Sequence, residues 1–192
     1  MSSTHGKIVI LASPSGGGKS TMAKKLLNDF DRLKFSVSAT TRPPREGEVN
    51  GRDYYFMSEK EFQKRVLDQQ FLEWEKFYNG TMYGTLKAHV ESELKKGYFI
   101  MLDVDVLGAL NVKKIFGEDA LTIFIKPPSM DILEQRLRNR GTESEKSLSV
   151  RLERAEKEIK YADKFDLVVV NDKMETAYSE IKKAVRKFIS NQ

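Results

Sequence analysis

At 192 residues, with 40% apolar and 32% charged side chains, the chain suits one well-cored globular domain carrying an insertion. It has no cysteine, which excludes disulfides and thiolate metal sites and is compatible with a reducing compartment. A formal charge of +5 invites a polynucleotide partner, but Lys and Arg are interleaved with Asp and Glu almost everywhere, so small anionic substrates are the better expectation. No apolar run approaches the roughly 18 residues of a membrane span. Met1–Gly6 lacks a basic segment followed by a signal-type apolar region, and no repeat or low-complexity segment is visible.

Ile8–Leu11 is a short apolar, β-branched run that predicts a buried strand. The chain then turns glycine-rich through Ser13-Pro14-Ser15-Gly16-Gly17-Gly18-Lys19-Ser20-Thr21, and Met22, Ala23, Leu26, Leu27 and Phe30 follow at helical spacing. Strand, glycine loop and helix form the context a phosphate-binding loop needs. The glycines let backbone N–H groups close around an anion, and the helix N-terminus adds about half a positive charge. Lys19 can reach the outer phosphates and the Ser20 hydroxyl can ligate Mg²⁺. Ser13 stands where the pattern G-x-x-x-x-G-K-S/T has its first glycine. A flexible turn that merely contains Gly-Lys-Ser is the bland alternative.

Phe35–Ser38 predicts a second short strand. Two prolines and two glycines between Thr40 and Tyr54 rule out regular structure through most of that stretch. Tyr54–Met57 predicts a strand, and Ser58 with Glu61 three residues on predicts a capping box. Phe71–Phe77 alternates apolar and polar, with Thr81–Gly84 its hairpin partner. Thr85 is a candidate cap of a helix that Gly97 would end. Tyr98–Leu102 predicts a buried strand with Asp103 and Asp105 at its C-terminal edge. Leu121–Ile125 predicts another, followed by a helix over 131–139, an aperiodic polar stretch over 140–147, and a helical stripe through Leu148, Leu152, Ala155 and Ile159. Leu167–Val170 is the last predicted strand, and Ala177, Ile181, Ala184, Val185 and Phe188 mark the last helix.

Alternating apolar strands and helices predict an α/β fold, a parallel sheet covered on both faces. Residues 39–90 break the rhythm with antiparallel-looking strands and are expected to form an inserted small domain. Ligands of such sheets sit beyond the C-terminal strand ends, where the glycine loop, Ser38, Asp103 and Asp105 all fall. A GTPase needs Asn-Lys-x-Asp after a strand, and Val170-Asn171-Asp172-Lys173 has those types in the wrong order. A small core, an insertion and an arginine-rich loop fit a kinase acting on a small phosphorylated substrate.

Over nearly its full length the chain resembles the guanylate kinase family. The resemblance is carried, in order, by Ser13–Thr21, Phe35–Ser38, Thr40–Arg45, Gly47–Gly51, Asp53-Tyr54, Phe71–Trp74, Tyr83–Thr85, Leu102–Asp105, Pro127–Ser129, Arg140–Glu143 and Val170–Asp172. It implies transfer of the γ-phosphoryl group of ATP to GMP with Mg²⁺. The implied fold is a P-loop core, residues 1–38 and 91–192, with a GMP-binding α+β insertion at 39–90 and a mobile lid at about 138–150.

On this resemblance, Ser13, Pro14, Ser15, Gly16, Gly17, Gly18, Lys19, Ser20, Thr21, Arg136 and Asn171 are expected to meet ATP, with Arg136 and Asn171 near the adenine. Ser20, and Asp103 through water, would hold the metal. Arg42, Arg45, Tyr54 and Tyr83 would clamp the GMP phosphate, since arginine forks hold phosphate bidentately and tyrosines add neutral donors. Glu73 would read guanine through N1–H and the 2-amino group, helped by Ser38 and Thr85, with Asp105 nearby. Adenine offers neither donor, so such a site discriminates strongly. Lys19, Arg42, Arg140 and Arg151 would neutralise charge during transfer, which needs positioning more than covalent chemistry.

From the residues alone the plainer readings stand beside these. Arg42 and Arg45 read as a solvated basic loop, Glu73 as the polar side of an amphipathic strand, and Asp103 and Asp105 as caps of the next helix. Three departures from the family pattern are visible: Ser13; a Tyr78–Met82 segment one residue longer than the pattern has, able to displace Tyr83; and Lys173 after Asn-Asp. The rival functions are a non-catalytic guanylate-kinase-like protein-binding module and a P-loop kinase with another acceptor. Neither nucleic acid nor membrane is an expected partner, the expected compartment is the cytoplasm, and oligomeric state is left open.

Overall fold

The computed structural model describes residues 5–77, 80–139 and 145–190. β1 (Ile8–Ala12) is buried along its whole length, as its unbroken apolar run requires. Gly18, at φ 100°, opens α1 (Lys19–Asp29), which buries Met22, Ala23 and Leu26. β2 (Leu33–Phe35) lies earlier than the expected 35–38 strand, because it pairs with a neighbour over Leu33–Phe35 and then leaves the sheet. Two short strands follow, β3 (Ala39–Thr40) and β4 (Tyr55–Phe56).

Next comes α2 (Glu59–Leu67), capped as expected by Ser58, whose Oγ accepts from the Glu61 N–H at 3.1 Å. The Glu61 carboxylate accepts from Arg65. β5 (Phe71–Lys76) and β6 (Met82–Leu86) form the expected hairpin. α3 (Lys87–Lys95) is capped at Leu86 rather than Thr85, and Gly97, at φ 80°, follows its end. The Thr85 hydroxyl is committed to Glu73, which removes it as a helix cap.

β7 (Phe99–Asp103) leads into α4 (Val106–Phe116) through Asp105, whose carboxylate accepts from the Gly108 N–H at 2.9 Å. β8 (Ala120–Lys126) and α5 (Met130–Arg138) follow, the helix capped by Ser129. α6 (Glu145–Ile159) begins earlier than the sequence pattern implied, so residues 145–147 are helical. β9 (Leu167–Val170) and α7 (Met174–Ser190) complete the chain.

One sheet is wholly parallel, in the order β2-β7-β1-β8-β9. Alternate residues of β1 supply two cores. Ile8, Ile10 and Ala12 face Val90 and Leu94 of α3 and Val106, Ala109 and Val112 of α4. Val9 and Leu11 face Met22 and Leu26 of α1 and Ile181 and Val185 of α7. This two-sided burial is what forces the β strands to be apolar throughout.

The second sheet, β4-β3-β6-β5, is mixed: β4 runs parallel to β3, correcting the wholly antiparallel expectation. Phe62 of α2 stacks on Phe71 at 4.4 Å beneath this sheet. A bulge between Phe71 and Glu73 turns Leu72 into the core shared with α4, while Phe71 and Trp74 stay beside Phe62. No helix among the described residues is long and apolar enough to cross a membrane.

Candidate active site

A cleft of about 490 Å³ runs from the glycine loop to the second sheet, with α6 along one side. Pairing of Leu11 with Asp103 sets the end of β7 beside the start of the loop. Lys19 Nζ stands 2.6 Å from Asp103 Oδ1 and donates to the Val104 carbonyl at 3.1 Å. The expected loop lysine and expected metal carboxylate therefore meet.

The loop is braced from within and below. The Gly17 N–H donates to the Pro14 carbonyl at 2.9 Å, and Ser13 Oγ donates to the same carbonyl at 2.7 Å. Ser13 thus fits without disturbing the turn, because Gly17 leaves room for it: a Cβ there would lie 2.4 Å from Ser13 Oγ. Asn171, 2% exposed, donates from Nδ2 to the Gly17 carbonyl at 2.8 Å. Asn171 is thereby held against the loop through its Nδ2. The Asn171 carbonyl accepts from Arg136 at 2.9 Å. Arg151, on α6, reaches the Ser15 hydroxyl at 3.0 Å, beside Gly16. Ser20 and Thr21 are exposed on the first turn of α1. Arg140 lies outside the described residues.

At the other end, Tyr54 and Tyr83 approach to 6.0 Å, edge to face, and the Arg42 guanidinium lies 5.0 Å over the Tyr54 ring. Tyr83, which follows the longer hairpin turn in sequence, lines the cleft beside Tyr54. Arg42 forks onto Glu48 with two bonds of 2.7 Å, and Glu48 also accepts from the Arg45 N–H at 2.7 Å. Those bonds, Arg42 foremost, hold the Glu48 carboxyl far below its usual range. The Arg45 side chain is exposed. Ser38 lines the cleft, its carbonyl taken by the Tyr55 N–H.

Glu73 sits on the cleft wall, mostly buried, and accepts the Thr85 hydroxyl. Burial pushes its carboxyl up to about 7; the Thr85 bond pulls down, and the charges of Asp105 and Glu75 add to the rise. Gly108 of α4 makes room for it: a Cβ there would lie 2.6 Å from Asp105 Oδ1 and 3.0 Å from Glu73 Oε2. Asp105 therefore caps α4 and also borders Glu73.

Sequence reasoning passed over Glu48, Glu75, Gly108, Arg154 and Glu158. Two signals were available. Glycine inside a helical pattern flags close approach, and Arg154 and Glu158, four apart, share a helix face. Nothing local marked Glu48 as a partner of Arg42.

The model of the family described as guanylate kinase matches residues 5–188. The chain is 48% identical over 185 residues to a guanylate kinase of Porphyromonas gingivalis, covering 96% of this chain and 98% of the relative. It is 45% identical over 187 residues to one of Chlorobium luteolum, covering 97% and 94%. The crystal structure of guanylate kinase from Anaplasma phagocytophilum, 32% identical, superposes with a TM-score of 0.75 over 98% of this chain and 89% of that one. With its phosphate-binding loop, its parallel sheet and this likeness along its length, the chain belongs to the guanylate kinase family.

Proposed function

We propose that the chain transfers the γ-phosphoryl group of ATP to GMP, giving ADP and GDP, within this cleft. One observation carries the reading: a phosphate-binding loop and a buried, hydrogen-bonded carboxylate on β5 line the same cavity. The loop N–H groups and Lys19 bind the ATP phosphates, Arg42, Arg45, Tyr54 and Tyr83 hold the GMP phosphate, and Glu73, Ser38 and Thr85 read guanine. Thr85 donates to the Glu73 carboxylate, whose remaining lone pairs accept from the base. Arg151, with Arg140, neutralises the moving phosphoryl group and helps exclude water. No general base is required, because the acceptor is already an anionic phosphate.

The oxygen donors at the loop, the Ser20 hydroxyl and the Asp103 carboxylate, suit Mg²⁺, a hard cation that binds through few protein groups, waters and phosphates. Among the described residues no cluster of three or more His, Cys, Asp or Glu could hold a metal alone, so substrate phosphates would complete the set. Bound there, the ion supplies charge neutralisation for the phosphates. Residues 39–90 serve as the acceptor domain and about 138–150 as the lid, in a cytoplasmic enzyme.

The test is ADP formation by the purified protein with Mg·ATP and a panel of GMP, dGMP, AMP, UMP, CMP and dTMP. Turnover confined to the guanine nucleotides is the expected result. Turnover with another acceptor would keep the loop's role and overturn the base-reading one. Failure with all, in folded protein, would favour the binding module.

A further inference from the structure

The cleft wall around Glu73 is crowded with acid. Glu75 follows two residues on along β5, Asp105 stands at the start of α4, and Glu158 approaches from α6. One cation reaches into this group. Arg154 Nη2 lies 2.8 Å from Glu75 Oε1 and 3.9 Å from Asp105 Oδ2, and its Nε lies 2.6 Å from Glu158 Oε1. Its guanidinium also covers the Phe77 ring at 5.3 Å. The Arg154 contacts join three elements that the chain keeps far apart: α6, the strand carrying Glu73, and the cap of α4.

We infer that Arg154 is a positioning residue of the guanine pocket: from across the cleft it ties down Glu75 and faces Asp105, offsetting the two charges beside Glu73 and fixing the strand that carries it. The inference rests on the reading of Glu73 as the guanine contact.

Accepting hydrogen bonds from N1–H and the 2-amino group requires Glu73 to be ionised. Burial already disfavours that form, and the Asp105 and Glu75 charges disfavour it further. The charged groups facing Glu73 are Glu75 on its own strand, Asp105 on α4, and Arg154 with Glu158 on α6; Thr85 on β6 supplies a neutral donor. Lys19 pairs with Asp103 beyond them. Losing Arg154 leaves Glu75 and Asp105 unopposed, so Glu73 holds its proton to higher pH. Losing Glu75 instead removes one repelling charge, and Glu73 ionises at lower pH. These opposite signs separate an electrostatic role from a merely structural one.

The experiment measures GMP dissociation constants by calorimetry from pH 5.5 to 9, with KM for GMP and for ATP, in the full chain carrying Arg154→Met, Arg154→Lys, Glu75→Gln or Glu73→Gln. Arg154→Met is expected to weaken GMP by about tenfold, to leave KM for ATP within about twofold, and to move the acid limb of GMP binding upward by about half a unit to one unit. Arg154→Lys should restore most of that limb's position, and Glu75→Gln should move it down. If Arg154→Met does not fold, Arg154→Gln, which also removes the charge, takes its place. An unmoved limb in Arg154→Met or in Glu75→Gln, or equal losses for GMP and ATP in Arg154→Met, would overturn the inference. If Glu73→Gln keeps the full preference for GMP over AMP, the reading of Glu73 fails first. If it abolishes that preference while the Arg154 and Glu75 limbs stay put, only the role of Arg154 falls.

Discussion

Ionising Glu73 opposes folding while it serves binding. The unfolded chain releases this proton near the usual 4.5, whereas the folded chain holds it to about 7. Between those values the folded state binds more protons, so the group's contribution to stability is present below pH 4.5 and is lost as pH rises through 7. At 1.36 kcal/mol per unit the loss is on the order of 3 kcal/mol. Glu73→Gln should therefore raise Tm at pH 8 and change it little near pH 4; melts at the two pH values check this. Glu73→Ala should remove most of the preference for GMP over AMP, read as the ratio of kcat/KM values. Lys19→Ala is expected to abolish nearly all turnover yet cost no more than about 1 kcal/mol, because its pairing with Asp103 is partly exposed. Near-normal turnover would remove the loop from the mechanism. Gly18 tolerates no side chain: at φ 100° an added Cβ would lie 2.3 Å from Asn171 Nδ2. Gly18→Ala should cost on the order of 1–3 kcal/mol and at least tenfold in ATP affinity, measured by titration.

Among the elements, α4 bears two tasks at one residue. Asp105 caps the helix through the Gly108 N–H and also borders Glu73. Asparagine caps as well as aspartate but carries no charge, while alanine does neither. Asp105→Ala should lose about 1 kcal/mol of stability, whereas Asp105→Asn should hold Tm and shift the pH dependence of GMP binding. Thermal melts set beside GMP titrations separate the cap from the charge; identical titrations for Asp105→Asn and the wild type would confine Asp105 to capping. β5 shows a similar division of labour. Its bulge sends Leu72 into the core with α4, keeps Trp74 against Phe62, and leaves Glu73 on the cleft wall. A regular strand would place Leu72 and Trp74 on one face.

At the scale of the whole molecule, the two sheets hold the two ends of one cleft, so a ligand spanning both should couple them. A compound joining adenosine to guanosine through phosphates should lower the radius of gyration in solution scattering and raise Tm well above either nucleotide alone. Stabilisation grows by about 2.7 kcal/mol at a hundredfold excess over Kd. A scattering curve unchanged by that ligand would show that the cleft is already closed.

By itself the sequence determined the parallel α/β core, the loop at its edge and the family. Those signals are local: an apolar run says two-sided burial, glycines before Lys19 say anion contact, and periodicity says helix. Short strands were misjudged, because β2 and β4 are set by their partners rather than by their own pattern. Only the tertiary structure decided how the candidate residues are used. It gave Asn171 to the loop, Thr85 to Glu73 rather than to α3, Glu48 to Arg42, and Arg154 to the acids of β5 and α4. Each depends on where a side chain from a distant segment arrives, and on the low dielectric it meets there. Ion pairing and pKa values follow from that arrival, which no spacing along the chain records.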